Sequence, residues 1–186
     1  KNLTRKSLSL HSILFNRSTM SIKHNYIALI ILYLFLAQGL SSQISFRRFD
    51  VSDGLSDNTI QCINQDAKGY IWLGTYNGLC RFDGKDFITY KHLSNDTTTL
   101  SNMSITSLEP SKDGMWVGTE RGFDFLSFHS NKFRKCKLIL ESGKLANFDE
   151  RIKNLITTSN HLVALGNSGN IFIRKEGLNF EQINYN

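Results

Sequence analysis

Past the first quarter of the chain the histidines are His92, His129 and His161, and the cysteines are Cys62, Cys80 and Cys136. Metal sites gather their Cys and His ligands at short, paired spacings, and these six residues show none. An odd number of cysteines at wide, irregular spacing is no disulfide framework. Cys62 and Cys80 fall in apolar runs, where a thiol acts as a small core hydrophobe. No glycine-rich phosphate loop, serine elbow or kinase signature is present. No catalytic residue, metal or cofactor is therefore expected, and the chemistry left is binding. Tyr76-Asn77 and Glu120-Arg121 place an aromatic ring, an amide, a carboxylate and a guanidinium in turns at matching positions. Such groups suit sugar hydroxyls, which take hydrogen bonds and an apolar stacking face.

A repeat positions those turns. Trp72 and Trp116 lie 44 residues apart, as do Gly74 and Gly118, Thr75 and Thr119, and Gly78 and Gly122. Ile60 and Ile63 recur as Ile105 and Leu108 at an offset of 45. A weaker third copy has Ile152 and Leu155, then HLVALGNSGNIFI from His161. It lacks the tryptophan, and its Gly166 and Gly169 stand one residue too close. A period in the forties marks a repeat architecture. Each unit reads as four short strands, in the first NTIQCINQD, YIWLGT, GLCRFD and FITY, with Gly, Asn and Asp at the turns. Little after Gln43 shows a helical period.

The expected fold is thus all-β: four-stranded antiparallel meanders that form about three blades of an incomplete β-propeller. The blades are expected over about 55–90, 100–136 and 152–183, within a domain spanning 43–186. Trp72 and Trp116 would pack between blades. Gly74 and Gly118 would end the second strands, and Gly78 and Gly122 would open the third, where the backbone reverses. Alternate turns of a meander emerge on alternate rims. Tyr76, Asn77, Glu120 and Arg121 then share a rim with the linkers at 91–99 and 137–149, and that rim is the candidate ligand surface. Phe87-x-x-Tyr90, Phe133-x-x-Cys136 and Phe180-x-x-Ile183 close the three units, and Phe46-x-x-Phe49 precedes the first. This last pattern reads as an orphan outer strand over 44–51, such as a propeller lends to its last blade. Three blades fall short of closure and would leave open edges, so the sequence reads as the N-terminal piece of a longer protein.

The formal net charge of +6 is concentrated at one end. The first 42 residues hold Lys1, Arg5, Lys6, Arg17 and Lys23 and no acid, whereas 17 basic residues face 16 acidic ones from Gln43 onward. A nucleic-acid surface needs clustered cations on the folded domain, and none is expected here. From Met20, a lysine precedes an apolar run from Tyr26 to Ala37 and then small residues, the outline of a secretory signal peptide over 20–42. The run is short for a bilayer span, and Gly39-Leu40-Ser41 places cleavage near Ser41 or Ser42. Residues 1–19 read as an upstream, mis-started segment.

GLSDNTIQCINQDAKGYIWLGTYNGLCRFDGKDFITY, with FRRFDVSDGLS before it, resembles the two-component regulator propeller repeat. That repeat occurs in the periplasmic sensor half of Bacteroidetes hybrid two-component systems. The resemblance is good from Phe46 to Phe128 and poor in the third unit. It implies a non-catalytic, exported sensor region whose parent carries further blades, a β-sandwich, a membrane helix and a histidine kinase. The implied partners are the remainder of that polypeptide, an oligosaccharide ligand, and a second copy in a homodimer of the full-length sensor.

A stand-alone secreted interaction module is the alternative. A sialidase-type propeller is a more distant one, since SKDGMW at 111–116 resembles the Asp-box S-x-D-x-G-x-T-W. The glycine, however, follows Asp113 directly and Trp116 comes early. Arg81 and Arg121 occupy inequivalent blade positions and do not form the cluster that a glycan carboxylate needs.

Overall fold

The structure, a computed structural model, describes residues 26–33, 45–159 and 161–183. The chain divides into two units, Lys1–Arg47 and Arg48–Asn186. In the first, residues 26–33 form a helix exposed along its length. The expected upstream segment 1–19 and most of the expected signal peptide lie outside the described residues. Among the described residues, no helix is long and apolar enough to cross a membrane.

The second unit is built from strands. Blade 1 comprises β1 (Ile60–Gln65), β2 (Ile71–Thr75), β3 (Gly78–Phe82) and β4 (Phe87–Tyr90), antiparallel in chain order. Blade 2 repeats the pattern with β5 (Ile105–Ser111), β6 (Gly114–Thr119), β7 (Gly122–Ser127) and β8 (Lys132–Lys135). Blade 3 comprises β11 (Ile152–Thr157), β12 (Leu162–Gly166), β13 (Ile171–Arg174) and β14 (Asn179–Ile183). The all-β, propeller-blade fold is what the repeat predicts.

Because strand side chains alternate between faces, each blade presents one face to each neighbour. Trp72 and Leu79 of blade 1 are buried with Ile105, Leu108, Met115, Val117, Leu126 and Phe133 of blade 2. Trp116, Phe123 and Phe125 of blade 2 are buried with Leu155, Ala164, Phe172 and Phe180 of blade 3. The close approach of the blades explains two glycines. A Cβ on Gly74 would strike Cys62 Sγ and stand 2.7 Å from Ile105 Cγ2. One on Gly118 would strike Ser107 Oγ and stand 2.9 Å from Ile152 Cβ.

Blade 3 corrects the register read from sequence. Each first strand carries a bulge at the same place, and Ile60, Ile105 and Ile152 oppose Thr75, Thr119 and Gly166. Gly166 therefore stands where the other blades have threonine, and Leu165 where they have Gly74 and Gly118. Val163 takes the place of the tryptophans. The turn that follows is one residue longer, closed by the Gly166 amide donating to Asn170 O at 2.8 Å.

Two further expectations change. The stretch 137–149 is not only a linker: β9 (Lys137–Ile139) and β10 (Leu145–Asn147) form a hairpin, and β9 runs parallel to β14. It extends the third sheet to six strands and covers the edge of β14, which would otherwise offer free backbone groups. Residues 45–50, expected as an outer strand over 44–51, form no strand. A strand requires a ladder partner, and among the described residues no strand is laddered to them. The chain turns instead at Val51–Asp53, where the Asp50 carboxylate accepts from the Ser52 amide at 2.8 Å and the Asp53 carboxylate from the Asp50 amide at 2.9 Å.

Candidate functional site

The turn between the second and third strands is built the same way in blades 1 and 2. Thr75 Oγ1 donates to Gly78 O at 2.8 Å, and Thr119 Oγ1 to Gly122 O at 3.0 Å. Both glycines have positive φ, 123° and 125°, which suits a residue without a Cβ. Each turn is then tied to the linker entering the next blade. The Gly78 amide donates to Met103 O at 2.8 Å, whereas the Glu120 amide reaches back to Ser104 O, at the entry of its own blade, at 3.0 Å. The Gly122 amide reaches Glu150 O at 3.4 Å. These bonds put turns and linkers on one rim.

Beside the second turn lies a cleft of about 440 Å³. Its walls are the linker from His92 to Ser101, the segment Arg121–Phe123, and residues 135–137 with Asn147 and Phe148. Arg121 is the sequence candidate that lines it. Its exposed guanidinium lies 3.5 Å from Asp149 Oδ1. Lys137 Nζ is held by Asn147 Oδ1, and His92 Nδ1 lies 2.6 Å from Leu100 O. The other candidates stand outside the lining. Glu120 pairs with Arg151 at 3.5 Å. Asn77 Nδ2 donates to Ser56 O at 3.3 Å, and Tyr76 is exposed on the equivalent turn of blade 1.

The sequence reading passed over the residues beneath this cleft. Asp124 is wholly buried, and it accepts from the Ser101 amide at 2.6 Å and from Ser101 Oγ at 2.7 Å. Lys135 Nζ stands 3.3 Å from Asp124 Oδ1, the oxygen that Ser101 Oγ also reaches, and donates to Thr99 O. Burial pushes the Asp124 carboxyl up, with the Lys135 cation and the Ser101 donors opposing that shift. The network pins the end of the linker to blade 2. A signal was available: Cys80 and Asp124 both stand two residues past their turn glycine. Ser56 meets Cys80 as Ser101 meets Asp124, with the Ser56 amide 3.2 Å from Cys80 Sγ. An aspartate inside the apolar run GFDFL marks that exchange.

Chemically, the cleft offers three cations, Arg121, Lys135 and Lys137, one carboxylate, Asp96, an imidazole and the hydroxyls of Ser94 and Thr97. That set can hold a polyol or an anion by hydrogen bonds. Among the described residues, no group of His, Cys, Asp and Glu could hold a metal ion.

Comparison with known proteins gives two matches within the chain to the two component regulator propeller family, at residues 54–77 and 99–121. The resemblance read from the repeat is thereby borne out. Over 75 residues the chain is 41% identical to histidine kinase P4 of Formosa agariphila, covering 39% of this chain and 6% of that kinase. In structure it is similar to the extracellular domain of the hybrid two component system BT3049 from B. thetaiotaomicron. The TM-score is 0.63 at 21% identity, over 75% of this chain and 20% of that one. The extracellular domain of BT4673 from the same organism gives a TM-score of 0.56 at 21% identity, over 78% of this chain and 21% of that one. The chain spans about a fifth of these solved domains, and the likeness to them is one of fold.

Proposed function

We propose that this chain, which carries two copies of the two component regulator propeller repeat, is the non-catalytic, ligand-reading part of an exported hybrid two-component sensor. It would sit in the periplasm, take up an oligosaccharide on its rim and signal to a histidine kinase in the same polypeptide. The observation that carries the reading is the rim cleft, walled by Arg121, Lys135, Lys137 and linker hydroxyls above the buried Asp124. The Arg121 guanidinium is exposed, whereas Lys135 is paired with Asp124. The lysine and apolar run ahead of the blades support export.

Signalling requires that the ligand bind two conformations with different affinity. The linkers supply an element on which such a difference could act. Each is bonded to a turn of the preceding blade and walls the cleft, so a ligand spanning linker and turn would bias how adjacent blades meet.

The test is a glycan array probed with this chain and with the intact sensor polypeptide, followed by titration of each hit. Binding of an oligosaccharide that weakens about tenfold in Arg121→Ala, in line with loss of a charged hydrogen-bond donor, is the expected result. Absence of glycan binding by the intact polypeptide would overturn the reading.

A further inference from the structure

A smaller pocket, of about 200 Å³, lies at the boundary of blades 2 and 3. Its walls are Trp116 and Phe125, Arg134 and Arg174, and the turns at Asp113 and Gly177. Those turns join β5 to β6 and β13 to β14, so the pocket is on the rim opposite Arg121. The guanidinium carbon of Arg174 stands 5.0 Å from the centre of the Trp116 ring, and that of Arg134 stands 5.5 Å from the centre of the Phe125 ring. Arg174 Nε donates to Gly177 O at 2.8 Å, which orients the fork without using its terminal nitrogens.

Two exchanges distinguish this boundary from that of blades 1 and 2. Arg174 opposes Phe180 as Leu126 opposes Phe133. Leu126 is wholly buried with Trp72, so a cation stands where the other boundary has an apolar plug. The second exchange concerns the indole. Gln65 opposes Ile71 as Pro110 opposes Met115, which sets Ser111 where blade 1 has Asp66. Asp66 Oδ2 accepts from Trp72 Nε1 at 2.8 Å, whereas Ser111 Oγ donates to Gly114 O. A buried tryptophan ordinarily finds a partner for its N–H. Trp116 is only 4% exposed, yet its N–H has no acceptor among the described residues. That nitrogen is not sealed in, and Trp116 is a wall of the pocket.

Indole N–H and guanidinium groups donate and never accept. The acidic residue of the lining, Asp113, is exposed and makes no ion pair with either arginine among the described residues. We infer that this pocket is a second ligand site that binds the oxyanion group of a small molecule, a carboxylate or a sulfate, between Arg134 and Arg174, with the Trp116 N–H as a further donor. Guanidinium forks match such groups in pairs of parallel hydrogen bonds. Because the two cations stand over aromatic rings and not against carboxylates, an incoming anion has no ion pair to displace. The volume is below that of a cavity for a whole drug-sized ligand, so it takes the charged group and part of its bearer. The inference does not depend on the sensor reading, whose cleft is on the other rim.

The probes are sodium glucuronate, sodium sulfate and neutral glucose, titrated at constant ionic strength into the isotope-labelled whole chain. The indole N–H resonances of Trp72 and Trp116 are followed by nuclear magnetic resonance. Glucuronate, sulfate or both should shift Trp116 saturably and leave Trp72, held by Asp66, in place. The tighter of the two anions identifies the source of the group as a sugar acid or a sulfate, and either order supports the site. Arg134→Gln and Arg174→Gln should each weaken binding about tenfold. Both positions are exposed, and an unchanged Trp72 resonance reports that each variant is folded. A Trp116 resonance unmoved by both anions, an equal response to glucose, or full affinity in both variants would overturn the inference. Glycan binding by the cleft is read separately through Arg121→Ala, so the two readings can fail independently.

Discussion

Gly118 and Ile152 meet across the boundary of blades 2 and 3 so closely that a Cβ on the glycine would stand 2.9 Å from Ile152 Cβ. Gly74 and Ile105 meet in the same way one blade earlier. The spacing between blades is set by an absent methyl group, and neither glycine is at a positive φ. Replacement therefore acts through packing. Gly118→Ala should lose about 1–3 kcal/mol by overpacking, read as a lowered urea midpoint with an unchanged m-value. A midpoint indistinguishable from that of the parent would show that the blades can move apart at little cost.

Asp124 should give the stability curve a recognisable pH dependence. Burial raises its folded pKa above the ordinary value of 3.8, and Lys135 only partly offsets this. Below the ordinary value both folded and unfolded forms are protonated. As pH rises from there through the raised folded value, the unfolded chain ionises first, so this group's contribution to stability is lost across that window. Urea midpoints of the parent minus those of Asp124→Asn should fall with rising pH above about 4. The subtraction removes carboxylates of opposite sign, such as Asp83 and Asp96, whose hydrogen bonds hold them below the ordinary range. A flat difference would mean that Asp124 is not desolvated in solution.

The periodicity of Trp72, Gly74, Trp116 and Gly118 made the blades legible, because one geometric demand recurs at each boundary. It left blade 3 misaligned by one residue. Gly166 aligns with the other glycines by letter, whereas its backbone stands opposite Ile152, the threonine place. The hairpin of β9 and β10 was hidden for another reason. Its strands are three residues each, too short to show alternation, and it is held by parallel pairing to β14 about forty residues later. Of the rim, Arg121 could be placed on the cleft because turn position follows from meander topology. Asp124 could not, because a charge on an interior strand position makes sense only once Lys135 and Ser101 are seen around it.

The thiols should be silent in the folded chain. Burial pushes Cys62 up to about 12, with the hydrogen bond to the Gly74 backbone opposing. Burial likewise pushes Cys136 well above its ordinary range, with the nearby Asp124 carboxylate adding to the shift. Thiolate is the reactive form, so iodoacetamide at pH 8 should leave both unmodified in the native state and label them in urea. Mass spectrometry of peptides spanning Cys62 and Cys136 reads the result. Rapid native labelling of Cys136 would show that the boundary of blades 2 and 3 opens readily.

The two turns that precede the tryptophans should respond differently to loss of a polar side chain. Trp72 Nε1 donates to Asp66 Oδ2 at 2.8 Å, while Asp66 Oδ1 accepts from the amides of Lys68 and Tyr70 at 2.9 and 3.1 Å. One buried carboxylate thus orients the indole and shapes the turn between β1 and β2. Asp66→Ala leaves a buried indole N–H without its acceptor, at a cost of about 1–3 kcal/mol. Asp66→Asn keeps an acceptor oxygen and should recover part of that loss. Across the equivalent turn of blade 2, Ser111 Oγ donates to Gly114 O at 3.1 Å, a partly exposed bond that involves no tryptophan. Ser111→Ala should therefore change stability by no more than about 0.5 kcal/mol. Urea denaturation followed by tryptophan emission reads all three variants. Equal losses in Asp66→Ala and Ser111→Ala would sink the assignment of a special role to Asp66, because both turns would then act only as hairpin closures.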